Sequence, residues 1–170
     1  TVLTVVLALS IIAAMGAGAL AFVAPQDGTQ YTDYAVGTLN ESGDFVADDY
    51  PTEWPSDGNP KMVFQVENHE DKRVNYTVVV QMQRISDDGR VTELSELDRY
   101  SESVGAERSW TKQHSLEPKL EGDRLQVVYL FYKDEPPETP TRRNADEYVF
   151  FWTSVGGGGG SSLAAPPGNH

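Results

Sequence analysis

The run from Val2 to Ala24 limits most severely what this chain can become. Its 23 residues include no charge, no Asn or Gln and no proline. A helix rises about 1.5 Å per residue, so the run reaches about 35 Å, enough to cross a hydrocarbon core of about 30 Å. As a helix it is apolar all round and has no wet face, so it must be buried in lipid or inside an assembly. The sequence thus predicts a transmembrane or assembly-core helix over residues 1–25 and a separate unit after it.

Small residues are spaced along that run. Ser10, Ala14 and Gly18 fall on one stripe, and Ala13, Ala17 and Ala21 on its neighbour. Small side chains at this spacing let a second helix approach closely. Residues 2–24 are therefore expected to meet a lipid bilayer or like subunits. Ala21 to Ala24 resembles a small-residue cleavage site, but the run lacks a basic start and exceeds a usual signal core, so an uncleaved helix is preferred. The start at Thr1 rather than Met reads as processing, or as one part of a longer chain.

Composition changes after Pro25. All 26 acids and all 13 bases lie beyond it, for a net charge of −13, and eight of the bases are Arg against five Lys. Such charge opposes nucleic acid or an anionic lipid surface as a partner. It suits cations, a basic partner or high salt, which screens repulsion among surface acids. The acid-rich, Lys-poor balance predicts a high-salt origin. The absence of cysteine excludes a disulfide framework, thiol chemistry and Cys-ligated metal. No Lys or Arg follows the apolar run until Lys61. Positive residues gather on the cytoplasmic side of a membrane, so this flank predicts an extracytoplasmic domain. The triplets Asn40-Glu41-Ser42 and Asn75-Tyr76-Thr77 fit that placement and make Asn40 and Asn75 candidate glycosylation sites.

After a spacer over residues 26–30, the pattern becomes period two, broken by turn residues. Strands are expected at Tyr31–Leu39, Lys61–Glu67, Val74–Ile85, Val91–Asp98, Ser109–Leu116, Arg124–Lys133 and Glu147–Val155. Loops are expected at Asn40–Gly58 and Asp134–Asn144, with polar turns at Asn68–Lys72 and Asp87-Asp88-Gly89. Tyr76, Val78, Val80 and Met82 share one face, as do Leu125, Val127, Tyr129 and Phe131. Tyr148, Phe150 and Trp152 share a face of the last strand and are read as core. Trp110 is the expected anchor of its strand. About seven short strands close a core only as two packed sheets. The prediction is a mainly β fold, an immunoglobulin-like or fibronectin-III-like β-sandwich over residues 31–155. Val79, Val128, Leu130, Val149 and Phe151 occupy the opposite faces, which predicts a second covering by a loop or by a subunit. Residues 156–170, with five glycines, two serines and a Pro-Pro pair, read as a flexible tail.

Three pieces of this region carry a resemblance. They are YTDY with the following ESGDFVADDYPTEW run (Tyr31 to Trp54), VENHEDKRVNYTVVVQMQR (Val66 to Arg84) and RLQVVYLFYKDEPP (Arg124 to Pro137) with the closing Trp strand, Tyr148 to Val155. Together they resemble an archaeal membrane-protein family, the domain of unknown function 1616. The resemblance implies an acidic, halophilic archaeal source and several membrane helices before an outward β-sandwich. This chain departs from that pattern in having one apolar run, and the family brings no assigned activity.

Candidate chemistry is sparse. His69 and His114 lie 45 residues apart, one in an expected turn and one in a strand. That spacing does not converge the three or four ligands zinc needs. No nucleophile stands in a strand–turn–helix setting. Asp44, Asp48 and Asp49 lack the spacing of a calcium loop, and Asp87-Asp88 reads as a turn pair. No catalytic residue, metal or cofactor is assigned. The expected function is a membrane-anchored, extracytoplasmic cell-surface module with a structural, adhesive or envelope role, N-glycosylated, homo-oligomeric or paired with other surface proteins. The alternative is a subunit of an archaeal pilin-like filament with the apolar helix at its core.

Overall fold

The computed structural model describes residues 30–47 and 49–156. The apolar run with Ser10, Ala13, Ala14, Ala17, Gly18 and Ala21, the acid Asp48 and all of the tail after Gly156 lie outside the described residues. Among those described there is no helix, and so none long and apolar enough to cross a membrane.

Eight strands form: β1 (Tyr31–Leu39), β2 (Phe45–Val46), β3 (Lys61–His69), β4 (Val74–Ile85), β5 (Val91–Val104), β6 (Arg108–Ser115), β7 (Gly122–Lys133) and β8 (Glu147–Val155). They build two four-stranded sheets, in the orders β2-β1-β3-β6 and β5-β4-β7-β8. All neighbours within a sheet are antiparallel. One core lies between the sheets. Val36, Met62, Phe64 and Val66 enter from the first, and Tyr76, Val78, Val80, Met82, Leu125, Val127, Tyr129 and Phe131 from the second. The period-two alternation of β4 and β7 therefore selects the inward faces expected of it. Trp110 packs edge-on against Phe64, with ring centroids 4.9 Å apart.

Several boundaries differ from expectation. The strand β3 runs through Asn68 and His69, so these two residues are not part of the polar turn. Asn68 is fully buried, and its Nδ2 donates toward the carbonyls of Lys72, Val104 and Gly105 at 2.9–3.0 Å. Those bonds satisfy the buried amide and tie the turn after β3 to the end of β5, which is why a polar residue can continue the strand inward. The polar strand β5 extends to Val104, carrying the chain the full length of β4.

The stretch 40–58 is not simply a loop. It holds β2, which crosses so close to β1 that a Cβ on Gly37 would lie 2.3 Å from the Val46 carbonyl. Farther on, Glu53 bridges Ser154 in parallel, with the Trp54 N–H donating to Ser154 O at 2.8 Å.

The largest correction concerns β8. Tyr148, Phe150 and Trp152 point outward, 40%, 40% and 46% exposed, whereas Phe151 is 5% exposed. Phe151 stacks on Tyr50 with centroids 5.0 Å apart, and Val149, Phe151 and Val155 belong to the central core side. The inward positions of β8 are taken by the set that meets Tyr50 from the 49–54 segment. Size and aromaticity alone point to the wrong face.

Candidate functional site

The outer face of the second sheet is built in rows across paired strands. One row reads Leu94, Gln83, Gln126, Trp152; the next reads Glu96, Gln81, Val128, Phe150. The connection from Asp134 to Asp146 folds back over this face. It covers Val79, Val128, Leu130 and Tyr132, which form a second apolar cluster with Ala145 against it. The cover is pinned by Gln81 Nε2 donating to Pro140 O at 3.0 Å and Tyr132 Oη donating to Asn144 Oδ1 at 2.8 Å. Of the two coverings expected for Val79, Val128 and Leu130, a loop is the one found. Val149 and Phe151, grouped with them in sequence, lie on the core side instead.

The cover stops short, and the remainder is a shelf. A groove of about 780 Å³ is lined by Leu94, Val91, Gln126, Arg142, Tyr148 and Trp152, among others. Arg142 is one of its lining residues. Its guanidinium lies 4.7 Å from the Phe150 ring and 5.6 Å from the Tyr148 ring, a cation–π arrangement. One of its nitrogens donates to Gln83 Oε1 at 3.1 Å and also to Gln126 Oε1. Burial lowers the pKa of the group. Aromatic rings beside amides and one cation can stack a flat or ring-shaped face and hold a carbonyl or anionic group next to it.

A second cluster stands on the other sheet. The outward positions of β3 carry Gln65, Glu67 and His69, and the register places Asp33 opposite Glu67 and Tyr31 opposite His69. The imidazole Nε2 of His69 lies 3.2 Å from Glu67 Oε2 and 3.7 Å from Asp33 Oδ2, and its Nδ1 lies 3.4 Å from Glu107 Oε2. Its ring stacks on Tyr31 at 4.6 Å. The other oxygen of Glu67 accepts from Gln65 Nε2. Partial burial, offset by His69 and reinforced by Glu67, raises the Asp33 pKa. Burial and then the charges of Asp33, Glu107 and Glu67 raise that of Tyr31. Asp33, Glu67 and His69 each offer a ligand atom within 4.8 Å of the others. Among the partners of His69, Asp33 is brought in by the β1–β3 register and Glu107 by the turn before β6, whereas alternation alone already puts Gln65, Glu67 and His69 on one face.

His114 is elsewhere. It is buried in the core and shares a hydrogen bond with Tyr129 Oη at 3.1 Å. Burial pushes its pKa down to about 4, so it is a neutral core residue near pH 7. Asp44 lies in a turn capped by Asn40, whose Oδ1 accepts from the Ser42 and Asp44 N–H groups at 3.0 and 2.8 Å. Asp49 is exposed and Asp87 pairs with Arg124 at 3.4 Å. Asp88 accepts from Ser86 and pairs with Arg90, and these contacts lower its pKa. Both candidate glycosylation sites are exposed. Asn75 faces out while Tyr76 and Val78 are buried, and it borders an open groove of about 460 Å³ shared with Thr77, Ser101, Asp134 and Glu135.

Comparison with known proteins gives a family and a distant likeness. The profile of DUF1616, a domain of unknown function, matches residues 25–154. None of the curated proteins compared with the chain matches it. Among solved structures, a β-glucosidase from Listeria innocua in complex with glucose is 12% identical, with a TM-score of 0.48 over 75% of this chain. A GH3 β-glucosidase from Bifidobacterium adolescentis is 10% identical, with a TM-score of 0.41 over 72% of this chain. The chain spans only 16% and 17% of those two proteins.

Proposed function

Since the chain belongs to the DUF1616 family, whose description carries no activity, we propose from its own residues that it is a membrane-anchored, extracytoplasmic β-sandwich module. It acts by binding or by building the cell surface, not by catalysis. The observation that carries this reading is the uncharged Val2–Ala24 run, placed a few residues before β1 of an acidic domain. A run of that length suits a bilayer, and the lack of Lys or Arg before Lys61 favours the outside. The exposure of Asn40 and Asn75 leaves both side chains open to N-glycosylation. A fibronectin-III-like topology is the finer reading. It is supported by β5 joining the sheet of β4, β7 and β8, while β1, β3 and β6 make the other. The aromatic shelf gives such a module a contact surface. Its acid-rich character supports a halophilic archaeal source.

Protease protection in sealed cells and vesicles tests the placement. Cleavage of the domain in intact cells, with the protein in the membrane pellet, is expected. A protected or freely soluble domain overturns the reading. Glycopeptide mass spectra are expected to show sugar on Asn40 or Asn75.

The stripes Ser10/Ala14/Gly18 and Ala13/Ala17/Ala21 favour one further reading, a pilin-like filament whose helices bundle at the axis. Electron micrographs showing helical fibres would replace the single anchor with that assembly. Particles monodisperse only in detergent would retire it.

A further inference from the structure

We propose that Asp33, Glu67 and His69 form a binding site for a divalent first-row transition metal ion. Glu107 and Gln65 hold the ligands in place. The site stands on two paired strands, so its donors are set by the β1–β3 register and not by loop conformation. Rigid elements of this kind hold ligand geometry more closely than loops do.

The distances suit an ion. Metal–ligand bonds of about 2.1 Å place neighbouring donors about 3.0 Å apart at right angles and about 3.4 Å apart at the tetrahedral angle. The separations from His69 Nε2 to Glu67 Oε2 and to Asp33 Oδ2 are 3.2 and 3.7 Å. The outer contacts also fit the way such ligands are usually supported. A ligating histidine places its other nitrogen on a carboxylate or carbonyl, and a ligating carboxylate is itself hydrogen-bonded. Here Glu107 receives Nδ1, and Gln65 engages the Glu67 oxygen that points away from the imidazole. Stacking on Tyr31 fixes the ring plane.

Charge gives an independent argument. Several surface acids are each matched by a cation, among them Glu70 with Lys133, Glu93 with Arg84, Glu96 with Arg99 and Asp88 with Arg90. Among the described residues, Asp33, Glu67 and Glu107 form no ion pair with Lys or Arg, and all three converge on one imidazole. A divalent ion supplies the missing positive charge. One imidazole with two carboxylates is a borderline donor set, which favours Zn²⁺ or Mn²⁺ over the all-oxygen coordination of Ca²⁺. Three protein donors leave further positions for water or for a donor from a bound partner.

Isothermal titration of Zn²⁺ into the metal-stripped full chain, held in mild detergent, tests the site. One equivalent per chain is expected to bind at the cluster. His69→Ala should weaken it at least 100-fold, Asp33→Asn and Glu67→Gln at least 10-fold, and Glu107→Gln about 10-fold. Mn²⁺ should broaden the ring resonances of His69 and Tyr31 before any others. Far-UV circular dichroism and melting in chelator, unchanged among the variants, would show that each still folds. No stoichiometric Zn²⁺ uptake by the wild type overturns the proposal. Uptake that survives His69→Ala also overturns it, since the ion would then sit elsewhere, for instance on His170.

Discussion

The outer face of the β5-β4-β7-β8 sheet carries Val79, Val128 and Leu130 beneath a loop, whereas that of the β2-β1-β3-β6 sheet presents Tyr31, Asp33, Glu67 and His69. One sheet is thus buried on both sides over much of its area, and the other on one side only. The difference follows from sequence. The strand β7 reads LQVVYLFY without a polar partner set, which is the signature of burial on both faces. The strand β3 alternates Met62, Phe64 and Val66 with Gln65, Glu67 and His69, the signature of a half-wet sheet. An antiparallel sheet can face water on one side; here a loop of 13 residues, Asp134 to Asp146, stands where a helix layer or a subunit would otherwise be needed.

Substitutions can break this comparison. The largest effect is expected at adjacent phenylalanines of β8. Phe151→Ala should cost about 3–5 kcal/mol, and Phe150→Ala less than about 1 kcal/mol, in urea denaturation. Equal costs would mean that β8 is turned the other way. Next comes Leu130→Ala, expected to cost about 2–4 kcal/mol although it lies on an outer face. Thr111→Ala, exposed on the outer face of β6, should stay within about 0.5 kcal/mol. A small loss at Leu130 would show that the loop does not cover the second sheet in solution.

A pH titration sharpens the contrast between the two histidines. His114 is held neutral by burial, with its pKa lowered to about 4, while the unfolded chain protonates at about 6.5. Between those values the unfolded state binds more protons, so stability falls as pH drops through the window, by about 3 kcal/mol in all. The His114→Gln variant should flatten that slope. Glu70, whose carboxyl is held below its ordinary value by a hydrogen bond from Lys133, loses its contribution only as pH falls further. The smallest change is expected for Trp152→Ala, within about 0.5 kcal/mol by melting. A larger loss would mean that the shelf is part of the core.

How far the sequence could be read depended on whether both faces of a strand were distinct. In β4, Tyr76, Val78, Val80 and Met82 alternate with Asn75, Thr77 and Gln81, and the inward face followed. In β8, both sets are apolar: Tyr148, Phe150 and Trp152 against Val149, Phe151 and Val155. Alternation there leaves two choices, and the contact that decides, Phe151 on Tyr50, spans a hundred residues. The His69 cluster was hidden for a similar reason. Glu67 and His69 are two apart, but Asp33 and Glu107 arrive through pairings and a turn that local pattern does not encode. The buried Asn68 also eluded composition, because a polar residue in NHEDK reads as a turn until its three carbonyl partners are known.

The short pairing of Glu53 with Ser154 has a consequence beyond the fold of one chain. An open strand edge is a template for another copy to add to, and proteins guard against it. Here residues 52–54 occupy part of the outer edge of β8. At the opposite end of that sheet, β5 is long but breaks register with β4 twice and bears Glu93, Glu96, Asp98 and Arg99. The first sheet ends in a two-residue strand on one side and in β6, with Arg108 and Lys112, on the other. Copies of this domain held side by side at high local concentration are thus discouraged from fusing through their backbones. Whatever neighbours they keep must be chosen by side chains.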